Sequence, residues 1–100
     1  MGFEIVIKPA AWLDLVDAMV WYDEKRTNFG REFFNDFERS INRIIENPKA
    51  FKEITKEIRR IPTKRFPYKI FYTFSENTIF ILGIFHAKRS NSFIRRKLKR

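Results

Sequence analysis

The sequence contains no cysteine, a single histidine, and few glycines and prolines. The absence of cysteine excludes a disulfide framework, thiolate metal sites and a cysteine nucleophile, and it agrees with a reducing cytoplasm. With His86 as the only histidine, and without HExxH, P-loop or GxGxxG spacing, we expect no metal and no other cofactor. The N-terminal apolar run stops at Lys8, too early for a signal peptide or a membrane span. We therefore expect a cytoplasmic protein with no membrane partner.

Acidic residues are scarce in the second half of the chain. Residues 1–53 carry 8 Lys and Arg against 10 Asp and Glu, a balance of −2. Residues 54–100 carry 13 against 2, a balance of +11, and the whole chain has a formal net charge of +9. Because solubility requires far less charge, this asymmetry predicts an acidic partner, either nucleic acid or an acidic protein.

The first half of the chain predicts one strand and two helices. Residues 3–7 alternate, with Phe3, Ile5 and Ile7 on one face and Glu4 and Val6 on the other, which indicates a short strand. Pro9 suits the first turn of a helix, and apolar residues then recur every three or four positions as far as about Lys25. Thr27-Asn28 offers an N-cap for a second amphipathic helix, which Asn47-Pro48 ends.

The second half predicts three strands and a basic tail. Strands are expected near 57–61, over 68–74 and over 78–85, and a short basic helix over 93–99 is expected within the tail, residues 88–100. The length of 100 residues indicates one domain, residues 1–100. We predict an α+β fold of order β-α-α-β-β-β, in which a helical hairpin packs on a curved, mainly antiparallel sheet. Residues 95–100 are expected to be a detachable extension.

Basic and aromatic side chains fall together on the predicted strands and turns. They are Arg59, Arg60, Lys64, Arg65, Tyr68, Lys69, His86, Lys88 and Arg89. Such a set could hold RNA phosphates, stack on a base and exchange protons in cleavage through the 2′-OH. Equally, Tyr68 and His86 could be half-buried structural residues inside a solvated basic rim. The carboxylates of the helices, Asp14, Asp17, Glu32 and Asp36, are expected to be exposed solvating charges.

Several segments carry a family resemblance. They are 10–15 with Trp21-Tyr22, 33–51 from Phe33-Phe34 to Phe51, Arg65-Phe66-Pro67-Tyr68-Lys69-Ile70-Phe71-Tyr72, Ile79–Leu82 and His86-Ala87-Lys88-Arg89. Together they resemble toxins of the RelE/ParE superfamily, from bacterial type II toxin–antitoxin systems. The resemblance implies the RelE-like fold and a cognate antitoxin that wraps the toxin with an extended or helical segment. From the charge we expect that segment to be acidic, with apolar anchors.

The superfamily has two activities. RelE-type members cleave mRNA on the ribosome, and a nuclease of this kind would use Arg59, Arg65 and Lys69 to hold phosphate and His86 as acid or base. However, Ala87 stands where such members place an aromatic residue, and no tyrosine follows Tyr72. The resemblance therefore favours the ParE branch, which inhibits DNA gyrase and is not itself an enzyme.

Two alternatives stay open at this point: the ribosome-dependent endonuclease and a non-toxic, basic nucleic-acid-binding module. The residues expected to contact the target or nucleic acid are Arg60, Lys64, Tyr68, Lys88, Arg89, Arg95 and Arg96. The target would be gyrase or, alternatively, the ribosome with its mRNA. The sequence leaves the oligomeric state open, and a homodimer is one arrangement that it allows.

Overall fold

A five-stranded sheet lies between a helical hairpin and a short C-terminal helix in the computed structural model, which describes residues 2–99. The strands are β1 (Glu4–Ile7), β2 (Lys52–Thr55), β3 (Ile58–Pro62), β4 (Tyr68–Ser75) and β5 (Thr78–His86), and the helices are α1 (Pro9–Lys25), α2 (Phe29–Glu46) and α3 (Asn91–Leu98). The predicted α+β class, with a helical hairpin on a mainly antiparallel sheet, is confirmed. Within the described residues, no helix combines the length and the apolar character needed to cross a bilayer.

The strand order is β1-β5-β4-β3-β2, so the last strand of the chain lies beside the first. β1 runs parallel to β5, and the other neighbouring pairs are antiparallel. β5 has a strand on each side and packed side chains on both faces, which explains its nearly continuous apolar sequence. A bulge at Leu82 shifts its register against β4 and places Ile81 and Ile84, three positions apart, in the same core.

The hairpin of α1 and α2 buries its apolar stripes on one face of the sheet, which we call the hairpin face. The fully buried contributors from the helices are Ala11, Leu15, Phe33 and Ile44, and those from the sheet are Ile61, Ile70, Tyr72, Ile79 and Ile81. Gly30 lets α2 approach α1 closely, because an added Cβ would overlap the carbonyl oxygen of Met19. Asn28 takes the predicted N-cap position with φ 66° but without a side-chain cap. Instead, the Gly30 N–H donates to Asp23 Oδ1 at 2.7 Å.

A smaller core lies on the opposite face, which we call the α3 face. It consists of Phe71, Phe85 and Ile94, with Phe93 and Leu98 packed against them. Ser90 caps the N-terminus of α3, since its Oγ accepts the Phe93 N–H at 3.1 Å. The prediction that residues 95–100 form a detachable extension is therefore wrong for residues 95–99, because apolar side chains on both turns of α3 pack against the sheet. Arg100 lies outside the described residues.

The structure adds one strand, β2, to the predicted order. β2 is a four-residue edge strand of sequence Lys-Glu-Ile-Thr, in which only Ile54 is partly buried. Neither alternation nor an apolar run marks it, and it forms because β3 offers an unpaired edge to the chain leaving α2.

Two helical carboxylates expected to be exposed are instead bonded to backbone. Asp36 is 1% exposed, and its Oδ2 accepts the backbone N–H groups of Arg65 and Phe66 at 3.0 and 2.9 Å. Asp14 Oδ2 accepts the Ile84 N–H at 3.1 Å. These carboxylates fasten the β3–β4 loop and β5 to the helices.

Candidate functional site

A cleft of about 650 Å³ opens where α1, the adjoining ends of β4 and β5, and α3 meet. α1 forms one wall, and the β5–α3 turn together with α3 forms the other. Aromatic side chains from α1 and β4 lie between these walls. We call this site the cleft.

The wall formed by α1 is acidic and carries a large exposed ring. Asp14, Asp17 and Trp21 follow one another at spacings of three and four residues, so they share one side of the helix. Trp21 is 52% exposed although it is one of the largest apolar side chains in the chain. An exposed tryptophan beside two carboxylates is typical of a contact surface.

The opposite wall is basic. Lys88 and Arg89 follow β5, and Lys97 comes from α3. The Arg89 guanidinium lies 4.5 Å from the centroid of the Phe93 ring, and Lys97 Nζ lies 5.6 Å from it. These cation–π contacts hold both charges at the cleft. The cleft therefore presents charges of opposite sign on its two walls.

Tyr68 and His86 lie between the walls. They are direct partners across β4 and β5, with ring centroids 5.3 Å apart. Burial, followed by the proximity of Tyr22, raises the pKa of Tyr68 to about 12, and burial also raises the pKa of Tyr22. Both hydroxyls are therefore protonated at neutral pH.

The imidazole of His86 is oriented by the backbone that follows it. Its Nδ1 accepts the Lys88 N–H at 3.1 Å. In the neutral ring the proton consequently lies on Nε2. The structure thus brings four of the sequence-predicted residues together at the cleft: Tyr68, His86, Lys88 and Arg89.

Two of the four nuclease candidates are engaged elsewhere. The Arg59 guanidinium donates to the carbonyl oxygens of Lys49 and Phe51 at 3.2 and 2.8 Å, where it holds the chain entering β2. Arg65 forms an ion pair with Glu32. Both guanidinium groups therefore have structural partners.

Lys69, another nuclease candidate, lies on the other side of the sheet from His86. It is paired with Phe85, a core residue of the α3 face, whereas Tyr68 and His86 contact the hairpin side. Adjacent residues of a strand point to opposite faces. Arg59, Arg65, Lys69 and His86 consequently do not form one cluster.

The remaining predicted contact residues are dispersed. Lys64 is exposed in the β3–β4 loop. Arg60 and Arg95 line a separate groove on the α3 face. Arg96 is exposed on α3, with its guanidinium 5.9 Å from the Phe93 ring centroid.

Sequence reasoning missed the acidic wall of the cleft. Asp14, Asp17 and Trp21 have the spacing of a helix side, but helical periodicity does not reveal which neighbour that side meets. A signal was available in Trp21, which lies off the apolar stripe of α1 and so had no predicted burial.

The chemistry of the cleft favours holding a polypeptide. Two carboxylates on one wall repel phosphates, whereas opposite charges around aromatic rings suit a segment of mixed charge with apolar side chains. Among residues 2–99, no group of three or more His, Asp or Glu residues is arranged to hold a metal ion.

Comparison with known proteins places these observations in a family. A sequence model described as the ParE toxin of the type II toxin–antitoxin system, parDE, matches residues 5–91. A chain from the chromosomal ParDE system of P. aeruginosa is similar in structure, with a TM-score of 0.74, 16% identity, and coverage of 86% of this chain and 97% of that chain. The isolated E. coli RelE toxin has a TM-score of 0.61 at 15% identity, with 94% of each chain covered. No curated protein sequence matches the chain significantly.

The two kinds of similarity carry different weight. At these identities, the likeness to solved structures shows a shared fold. The family match is independent of it and spans most of the sequence, including the hairpin, the sheet and the cleft residues up to Arg89. The chain therefore belongs to the ParE toxin family of type II toxin–antitoxin systems.

Proposed function

We propose that this toxin arrests growth by inhibiting DNA gyrase and is not itself an enzyme. The observation that carries the proposal is the separation of the nuclease candidates. Arg59 and Arg65 are bound to structural partners, and Lys69 lies on the opposite face of the sheet from His86. The only histidine of the chain is thus left without the phosphate-holding set that RNA cleavage requires.

The charge of the cleft supports the same proposal. RNA bound next to His86 would place its phosphates near Asp14 and Asp17 on the α1 wall. Like charges within a cleft repel more strongly than in bulk water, since the effective dielectric constant is lower there. A protein target avoids this conflict.

A cognate antitoxin is the proposed neutralising partner. Its toxin-binding segment should be acidic overall, because the chain carries a net charge of +9, and it should carry apolar anchors for the aromatic rings of the cleft. The proposed place of action is the cytoplasm, where gyrase works. An antitoxin whose toxin-binding segment proved to be basic would contradict this part of the proposal.

A supercoiling assay with purified toxin and gyrase tests the proposed target. We expect loss of supercoiling, or accumulation of cleaved DNA, at micromolar toxin, and recovery when the antitoxin is added first. The double variant Lys88→Glu, Arg89→Glu should weaken inhibition, whereas Arg31→Glu, an exposed charge on α2, should not. Full supercoiling in the presence of excess folded toxin would refute the proposal.

One observation favours a second candidate, the ribosome-dependent mRNA endonuclease. Tyr68, His86, Lys88 and Arg89 do lie together at the cleft, and such a set could engage RNA. Primer extension on translated messages tests this candidate. Defined cleavage that disappears in His86→Ala would support it, and an unchanged pattern in that variant would remove the role of His86.

A further inference from the structure

We infer that a second groove, on the α3 face, is a docking site for an acidic amphipathic segment of a partner protein. This groove has a volume of about 590 Å³ and lies between α3 and the β2–β3 hairpin. It shares no lining residue with the cleft. The inference is independent of gyrase being the target.

The floor of the groove is apolar. It is formed by Ile54, Ile58, Phe71, Ile94 and Leu98. Ile54, Ile58 and Leu98 are only partly buried, so they present aliphatic surface, whereas the Phe71 ring is 1% exposed. Aliphatic side chains suit leucine or isoleucine anchors of a partner helix. Nucleic-acid bases are held instead on accessible aromatic rings, and the ring in this groove is covered.

The rim of the groove is basic and uncompensated. It carries Lys52, Arg60, Arg95 and Lys99. In the part of the chain that the structure describes, none of these four takes part in an ion pair. Glu53 also lines the groove, but its carboxylate is 3.7 Å from the guanidinium of Arg59. Four free cations therefore face one carboxylate that already has a partner.

The sheet register holds two of these cations in place. Lys52 pairs with Arg60, and Arg60 pairs with Phe71, so both side chains leave the sheet on the α3 face. Arg95 and Lys99 approach from α3 on the other side of the groove. The occupant must therefore bury an apolar stripe and present carboxylates along both edges, which describes an acidic amphipathic helix.

Methyl-labelled full-length toxin tests the inference by NMR titration. The probe is a synthetic helix with Leu at i, i+3, i+4 and i+7 and Glu at the exposed positions. A charge-inverted peptide with Lys in place of Glu, and a peptide with scrambled Leu positions, are the controls. We expect saturable shifts at the methyl groups of Ile54, Ile58 and Leu98 with the acidic helix, and none with either control.

Matched charge-reversal variants distinguish binding of the acidic helix at this groove from nonspecific electrostatic attraction to a basic protein. The double variant Arg60→Glu, Arg95→Glu should weaken binding at least about tenfold, whereas Arg31→Glu should change it by about twofold or less. Circular dichroism melts of all variants establish that each is folded. Shifts confined to the cleft around His86, equal losses in both variants, or absence of saturable binding would overturn the inference. Single-stranded RNA that binds the groove more tightly than the acidic helix would overturn it as well.

Discussion

Replacing Asp36 with alanine should release the β3–β4 loop from α2 and destabilise the fold. The carboxylate is 1% exposed, and one of its oxygens accepts two backbone N–H groups from residues 29 and 30 positions away, Arg65 and Phe66. An ion pair between Arg65 and Glu32 also joins the loop to α2, but its side chains are partly exposed, and such a pair contributes little to stability. The loop also supplies Phe66, a core residue that packs on Tyr22.

The expected magnitude follows from these bonds. A hydrogen bond to a charged acceptor contributes about 1.5–3 kcal/mol, and two are lost together. This loss is partly offset. Asp36 Oδ1 is buried without a hydrogen bond, and the Arg39 guanidinium 3.6 Å from it is largely exposed to water. The native state therefore already bears a desolvation cost that alanine removes. We therefore expect a loss of about 3 kcal/mol in the free energy of unfolding. For a domain of this size, that corresponds to roughly 12–24 °C in Tm.

Urea denaturation followed by circular dichroism measures the effect. Asp36→Asn keeps one acceptor oxygen, so it should lose about half as much stability as Asp36→Ala. Asn35→Ala, at an exposed neighbouring position, should change stability by about 0.5 kcal/mol or less. If Asp36→Ala were no more destabilising than Asn35→Ala, the carboxylate would not be what fastens the loop.

Three further predictions concern packing and titration. Gly30→Ala should lower the free energy of unfolding by about 1–3 kcal/mol, because the new Cβ overlaps the Met19 carbonyl oxygen, although alanine has the higher helix propensity. Thermal melts measure this, and a stabilised variant would contradict the close packing of the helices. Ile94→Ala should lower the free energy of unfolding by about 2–5 kcal/mol, because Ile94 packs α3 onto the sheet. No change in stability would mean that α3 does not pack there. Burial raises the pKa of Tyr72 to about 12, so its proton stabilises the fold below pH 10 and this contribution is lost as pH rises from about 10 to 12. Tyr72→Phe, which also loses the bond to Pro48 O at 2.6 Å, should flatten that alkaline fall, and an unchanged slope would argue against the shift.

The elements with strong periodicity could be predicted from the sequence. β4 and β5 follow from alternation and a long apolar run, and α1 and α2 follow from their stripes and from Pro9 and Pro48. β2 could not be predicted, since a four-residue edge strand has too few positions to show a period. Its formation depends on pairing with β3, which is a tertiary contact.

Only part of the candidate site could be predicted from the sequence, for a similar reason. Tyr68, His86 and Arg89 are close in the chain to strand ends that alternation locates, so their grouping could be inferred. Asp14 and Trp21 lie far earlier in the chain, on α1, and only the packing of α1 against β5 brings them to the cleft. Asp36 shows the same limit, because its helical position looks exposed until the β3–β4 loop covers it.

The order of events after induced expression distinguishes action on gyrase, as proposed, from action on messages. RNA and DNA from one culture, sampled at short intervals, report message cleavage and the DNA damage response together. If the toxin acts on gyrase, the damage response and broken DNA should come first, translated messages should stay intact, and His86→Ala should leave this order unchanged. Message cleavage that precedes any damage response, and that His86→Ala abolishes, would contradict it.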